Sequence, residues 1–422
     1  MTYIRRGKFL EEQADKFSAD YAFKYSELKP HDDDDGYNED ETYRTRFRRD
    51  KDRILYSDAY RRLQNKTQVF ANSVENSVRT RLTHTLEVQQ LATSIADALC
   101  VNRDLAEAIA VGHDIGHTPF GHAVERELDI KMIDKGGFSH AIQSLNCLKI
   151  KKISVHDQVL EGMLKHDTEV FVKARRAELS TNQYDCTRLQ PGKAGTVEAQ
   201  IVFWADKIAY LSHDWEDFSM SIIFQNLIKD GILKWRMLQE LWEPLLNEKG
   251  IEALIDNRLF ETRDLIRTIT TNLIKNSQNN LRGISSSGEV INKTEERFHH
   301  EIEKSAETDE KCRICDNTLK NAFRNGLLIN FSNDMRGAFF RAKMNLIDKY
   351  FLRCSEVAKS DYRASNMMGR LFDTFVNNPD LLPSKTRRRI SEEGIPKERI
   401  VVDHLSGMTD QYAERVYREL FL

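Results

Sequence analysis

The sequence predicts an all-α fold, and three observations carry that expectation. Apolar residues recur at helical spacing through most of the chain. Seven prolines and nineteen glycines among 422 residues favour long helices over many turns. No run of alternating residues reads as a sheet, and no internal repeat stands out. The length is too great for one small core. The expected layout is an N-terminal segment over residues 1–50, a helical core over 51–218 and a further helical region over 219–422.

In chain order, residues 1–40 hold a short helix and then the acidic run His31-Asp32-Asp33-Asp34-Asp35-Gly36, which reads as a solvated loop. Residues 42–70 are dense in Arg and Lys. They read either as a charged helix surface or as a lining for phosphates. Val88, Leu91, Ala92, Ile95 and Leu99 form the apolar stripe of the next helix. Asp104 with Glu107 reads as a capping box. It opens a helix carrying Leu105, Ile109 and Val111 that ends at Gly112-His113-Asp114. Gly116, Pro119 and Gly121 break that helix. Gly136-Gly137 marks another turn, and helix resumes at His140. Residues 180–196 read as a loop, and so do the polar residues 276–294. The remainder is mainly helical.

The net charge of −3 gives no global attraction to nucleic acid or to an anionic membrane. No apolar run approaches the ~20 residues that span a bilayer. The N-terminus lacks the apolar stretch of a signal peptide. Six cysteines are too sparse for a disulfide framework, so a cytoplasmic location is expected. Cys312 and Cys315 form one Cys-x-x-Cys pair. Without a second pair nearby, two cysteines on adjacent helical turns explain it better than zinc or redox chemistry. The basic cluster Lys385-Thr386-Arg387-Arg388-Arg389 reads as a solvated helix end or as a site for DNA or nucleotide.

The chemistry lies elsewhere. Residues 198–214 are mostly apolar and read as a buried helix, yet Asp206, Tyr210 and Asp214 share one stripe of it at i, i+4 and i+8. A carboxylate on a packed face is costly unless it is paired, hydrogen-bonded or metal-bound. His-Asp dipeptides occur five times in this chain, so the dipeptide alone says little. His113-Asp114 differs in its setting, at the end of an apolar helix before a Gly/Pro-rich turn carrying His117 and His122. His84, His113, Asp114 and Asp206 make a ligand set for a divalent ion, Mg, Mn or another transition metal such as Fe, Co or Ni. His122 and Glu125, at i and i+3, make a plausible acid/base pair. The chain therefore reads as a metal-dependent phosphohydrolase.

These residues resemble the HD-domain superfamily, and within it the deoxynucleoside triphosphate triphosphohydrolases of the dGTPase family. The matching segments are Arg61-Arg62-Leu63-Gln64-Asn65-Lys66-Thr67-Gln68-Val69-Phe70, the run Arg79 to Val88, the run His113 to His122 with Glu125, and Ala205 to Tyr210 with His213-Asp214. A closing segment, Val402 to Ala413 with Gly407-Met408-Thr409-Asp410, also matches. The resemblance implies an HD-domain helical core with N-terminal and C-terminal helical additions. It implies hydrolysis of a dNTP, dGTP foremost, to the deoxynucleoside and inorganic triphosphate. By matching position, His84, His113, Asp114 and Asp206 would hold the metal, and His122 with Glu125 would transfer the proton. Arg81, His117, His140, Lys165 and Lys207 would face the triphosphate. Gln64 and Asp214 would hold the sugar 3′-hydroxyl, and Tyr210 would exclude a 2′-hydroxyl. The resemblance further implies a homo-oligomer, a hexamer foremost, and a response to a dNTP effector or single-stranded DNA. One departure stands out: Ser139-His140-Ala141 replaces the family's usual Glu-His-Asn. The other enzyme reading is an HD phosphohydrolase acting on cyclic nucleotides or guanosine polyphosphates.

Overall fold

A computed structural model of the chain describes residues 6–29, 43–68, 79–176, 178–179, 184–307 and 316–422. The acidic run at 31–36, Val69-Phe70 and the Cys312/Cys315 pair lie outside the described residues. Among the described residues the fold is helical without a sheet, and one isolated antiparallel bridge joins Thr67 and Thr80. No helix among them is long and apolar enough to cross a membrane.

The first half holds α1 (Gly7–Phe17), α2 (Arg46–Leu55), α3 (Asp58–Arg62), α4 (Arg81–Ala98) and α5 (Arg103–Gly112). It continues through α6 (His122–Lys131), α7 (His140–Ile150), α8 (Asp157–Lys165), α9 (Thr168–Arg175) and α10 (Val197–Met220). The second half runs through α11 (Ile222–Lys229), α12 (Trp235–Trp242), α13 (Glu248–Ile255), α14 (Thr262–Asn280), α15 (Ser287–Glu307), α16 (Asp316–Gly326) and α17 (Asn333–Ala342). A π-helical stretch, Lys343–Phe351, precedes α18 (Ser355–Asn377), α19 (Ser384–Glu392), α20 (Lys397–Ser406) and α21 (Asp410–Phe421).

The centre is α10, which packs against α4, α5, α8 and α14. Its near-continuous apolar sequence fits burial on every side, and Thr196 caps its first turn. Trp204 on this helix donates through Nε1 to the Ile329 carbonyl at 2.6 Å. A second apolar core joins Phe120, Val124 and Leu128 to Met368, Leu371, Phe372 and Leu405 of the C-terminal helices. The turn between α5 and α6 thus links the two cores, with Ile115 in the first and Phe120 in the second.

Two sequence expectations are corrected, and one open choice is decided. The cap of α5 is Asn102, whose side chain accepts from the Leu105 N–H at 3.1 Å. Asp104 is instead buried, accepting from the Tyr25 and Thr45 hydroxyls and the Arg48 guanidinium, while Glu107 pairs with Lys51 and Gln89. Residues 276–294 are not a loop: they end α14 and begin α15 around a short turn. Their amides have a packing role, because Asn276 and Asn280 donate to the carbonyls of Leu328, Asn330 and Phe331. The basic residues between 42 and 62 do not line a phosphate cavity. Arg44, Arg46, Arg48 and Lys51 pair with Asp52, Glu11, Asp104 and Glu107.

Candidate metal centre and its cavity

The turn after α5 is shaped by two glycines. Gly116 lies so close to α7 that a Cβ there would sit 2.1 Å from the Ser144 backbone nitrogen. Gly121 has φ of +64°, a conformation that side chains disfavour. Ser144 Oγ donates to the carbonyl side of the turn and accepts the Gly116 N–H at 2.9 Å. These contacts bring the end of α5 and the start of α6 to one side of α10.

Four expected ligands converge there. Asp206 Oδ1 lies 3.0 Å from His84 Nε2 and 3.9 Å from His113 Nε2. His84, His113 and Asp114 each offer a ligand atom, all within 4.8 Å of one another. His113 Nδ1 donates to the Ala110 carbonyl at 2.7 Å, which leaves the lone pair on Nε2. That Nε2 is buried without a hydrogen-bond partner. An imidazole oriented in this way is the usual form of a metal ligand, so the donor set fits a divalent ion.

The surrounding charges support the ionised carboxylates. Burial alone would raise Asp114, but Arg81 and nearby imidazoles outweigh it and hold the carboxyl well below its ordinary range. Arg81 donates to Asp114 Oδ2 at 2.7 Å. Burial likewise opposes the charge of Asp206, and Lys207 with His84 overcomes it. Lys207 Nζ stands 2.7 Å from Asp206 Oδ2.

Beside this set, Glu125 joins two histidines. Its Oε2 accepts from His122 Nδ1 at 2.9 Å, and its Oε1 accepts from both His140 Nδ1 and the His140 N–H at 2.8 Å. His140 Nε2 lies 3.1 Å from His166 Nε2, while His166 Nδ1 donates to the Met163 carbonyl. Burial would lower His140, yet Glu125 raises it to about 9. Burial would raise Glu125, and His140 with His122 takes it well below its ordinary range instead.

A cavity of about 280 Å³ opens over both groups. Of the expected residues, Arg81, His84, Asp114, His117, His122, His140, Asp206, Lys207 and Tyr210 line it. His113 and Glu125 stand behind that wall, within the donor clusters. Asp214 is buried one turn past Tyr210, with Oδ2 unpartnered. Two expectations are not met. Gln64 is exposed and does not line the cavity. Lys165 points away, donating to Glu161 at 2.6 Å and to the Ala194 carbonyl at 3.2 Å.

The cavity also holds residues that sequence reasoning missed: Gln68, His166, Asp167 and Lys343. Gln68 ends the same segment that contains Gln64, and its Oε1 is buried without a partner. His166 immediately follows Lys165. Lys343 begins the π-helical stretch, its Nζ 5.5 Å from the Tyr210 ring centroid. No local motif marks Lys343; the fold brings it from 133 positions beyond Tyr210.

The C-terminal segment fastens the turn from outside. Buried Asp410 accepts from the Phe120 N–H at 3.1 Å and from the Thr67 N–H and hydroxyl at 2.9 and 2.8 Å. Lys66 Nζ, fully buried, donates to the carbonyls of His117 and Ser406. Burial, with Arg62 nearby, lowers Lys66 to about 7.

Comparison with known proteins agrees with this arrangement. An HD-domain family model matches residues 81–211, and a phosphohydrolase-associated domain matches residues 329–419. A deoxyguanosinetriphosphate triphosphohydrolase-like protein of Leptospira interrogans is 33% identical over 394 residues, covering 91% of this chain and 92% of its own. Its namesake in Geobacter sulfurreducens is 33% identical over 392 residues, covering 90% and 89%. That of Caulobacter vibrioides is 32% identical over 403 residues, covering 91% and 92%.

Proposed function

The chain belongs to the family of deoxyguanosinetriphosphate triphosphohydrolase-like HD-domain proteins, and from that premise we propose that it hydrolyses a dNTP to deoxynucleoside and inorganic triphosphate. The observation that carries the reading is one cavity that joins a His/Asp donor set, the cations Arg81, Lys207 and Lys343, and Tyr210. His84, His113, Asp114 and Asp206 would hold the divalent ion. The ion supplies Lewis acidity toward the phosphoryl group and its attacking water.

The protein's own groups do the rest. Water attacks the α-phosphorus, the bond to the 5′-oxygen breaks, and the 5′-oxygen takes a proton. His122 delivers that proton: Glu125 holds Nδ1, which leaves Nε2 for the transfer, and the side chain lines the cavity. Arg81, His140, Lys207 and Lys343 offset the triphosphate charge, and His117 faces it. Tyr210 packs on the sugar, with Gln68 and Asp214 serving its 3′-hydroxyl. Gln68 takes the place expected for Gln64, because it lines the cavity with an unpartnered oxygen. The dGTP preference, the hexameric ring, an effector response to a dNTP or single-stranded DNA, and the cytoplasmic location belong to this proposal on family grounds alone.

The test is to incubate the purified protein with each dNTP, GTP, a cyclic nucleotide and a guanosine polyphosphate, with Mn or Mg. Chromatography should find deoxynucleoside and triphosphate from at least one dNTP. Turnover of the cyclic nucleotide or the polyphosphate alone would replace this reading with the broader phosphohydrolase one.

A further inference from the structure

Two histidine rings in the wall of the cavity are bonded to each other. His140 and His166 both line it, and their Nε2 atoms lie 3.1 Å apart. The ring centroids stand 5.2 Å apart, longer than the distance between the nitrogens by close to one ring radius on each side. The rings therefore meet head-on, along the in-plane direction that an N–H and a lone pair share. Their outer nitrogens are also committed. His140 Nδ1 is 2.8 Å from Glu125 Oε1, and His166 Nδ1 is 2.6 Å from the Met163 carbonyl.

The hydrogens along this chain fix its charge. A carbonyl only accepts, and so does an ionised carboxylate. Burial would keep Glu125 neutral, but His140 and His122 outweigh it and hold the carboxyl ionised, well below its ordinary range. With an acceptor at each end, the three hydrogen bonds of the chain need three N–H groups. Two neutral imidazoles supply two. The pair therefore carries one extra proton and a single positive charge. Glu125 sits on His140, and among the described residues no carboxylate pairs with His166. The charge belongs to His140, which donates from both nitrogens, while His166 is neutral and accepts. The rise of His140 to about 9, where Glu125 outweighs burial, agrees with this.

We infer that His166 is a positioning residue: by accepting the Nε2–H of His140 it holds that ring, doubly protonated and in one orientation, as a fixed cation in the cavity wall. His117 stacks on the same ring with centroids 4.4 Å apart, so His140 is held at both nitrogens and on one face. A cation held in this way needs no reorganisation when a triphosphate arrives. Its consequence for hydrolysis rests on the function proposed above; the hydrogen-bonded chain rests on the geometry of the two rings.

The test uses the full chain loaded with Mg and carrying nitrogen-15 in its histidine rings. NMR is recorded at about pH 8, above the ordinary histidine range. One ring should be protonated on both nitrogens, and its signals should vanish in His140→Gln. Its Nε2–H should exchange slowly with solvent in the unaltered protein and fast in His166→Leu. In His166→Gln, whose carbonyl oxygen can accept in place of Nε2, exchange should stay slow. His166→Leu should also lower kcat/KM for a dNTP by about ten- to hundredfold, the range carried by a hydrogen bond to a charged group. His166→Gln should stay within a few-fold of the unaltered protein. A role in packing alone gives the reverse order, because leucine preserves a buried apolar contact better than glutamine. Each variant is checked by circular dichroism. The assignment is overturned by the lack of a doubly protonated ring at that pH, or by one that survives in His140→Gln. Undiminished dNTP turnover in His166→Leu overturns it as well. A doubly protonated His140 whose exchange depends on His166, in a protein that hydrolyses no dNTP, leaves the chain standing and removes the proposed activity.

Discussion

At the residue scale, the strongest local contrast is between neighbouring histidines with different environments. His113 is buried with its Nε2 unpartnered, whereas the His122 side chain is 51% exposed and held by Glu125. A ligand and a proton carrier should respond differently to truncation. His122→Ala is expected to keep the metal and lose roughly 10²–10⁴-fold in turnover. Loss of the metal would make His122 a ligand. The glutamines give a second contrast. Gln68→Ala should lower dNTP turnover and flatten the preference for dNTP over the 2′,3′-dideoxy analogue, since an unpaired polar group costs about 1–3 kcal/mol. Gln64→Ala should change neither, because that side chain is in solvent. The opposite ranking in steady-state kinetics would return the role to Gln64. The segment holding both residues was legible in the sequence; the choice between them was not. Four positions along an irregular turn decide which side chain meets the cavity.

At the element scale, periodicity located the helices well where burial dictates them. The stripe on α4 and the start of α10 follow from apolar spacing, while α10 runs on to Met220, past the stretch 198–214 that the spacing marks. Polar stretches were misread where their side chains bind distant backbone. Asn276 and Asn280 look like loop residues until their partners at 328–331 are known. Asp104 looks like part of a cap until Tyr25, Thr45 and Arg48 gather on it. The same logic explains the closing segment around Gly407-Met408-Thr409-Asp410. Its Asp410 holds the N–H groups of Thr67 and Phe120 across 343 and 290 positions. Phe120 has φ of +58°, so this turn needs outside support. Asp410→Ala leaves buried donors unpaired and should loosen the turn that carries His117 and His122. Misplacement of about 1 Å can cost 10²-fold. Turnover should therefore fall by about that factor while the helical content stays near normal, and Asp410→Asn should restore part of it. Unchanged turnover in Asp410→Ala, measured on a variant with a normal circular dichroism spectrum, would reduce the contact to a local one.

At the scale of the whole molecule, the metal set and the proton-transfer pair belong to different packing units. His84 and Asp206 stand on α4 and α10, inside the core that runs from Ala22 to Phe351. His122 and Glu125 begin α6, whose Val124 and Leu128 pack with the C-terminal helices in the second core. The register of the two groups, with His122 facing the same cavity as Asp206, depends on how that second core holds α6. Nothing in the local sequence around residue 122 reveals this dependence, because its partners lie some 250 to 290 positions downstream. Leu405 is fully buried in the second core, and Leu254 on α13 is 1% exposed in the first. Leu405→Ala and Leu254→Ala should each cost about 2–5 kcal/mol in chemical denaturation. Their effects on chemistry should differ. Leu405→Ala lets α6 shift against α10, so kcat should drop well below that of the unaltered protein even at temperatures where the variant is fully folded. Leu254→Ala leaves α6 in place and should keep kcat within a few-fold. Both variants should retain the metal, since neither Leu254 nor Leu405 stands on α4 or α10, the helices that carry His84 and Asp206. Equal losses of kcat from the two substitutions, at matched fractions folded, would mean that the second core contributes only stability and that α6 is held by the hydrogen bonds of the turn alone.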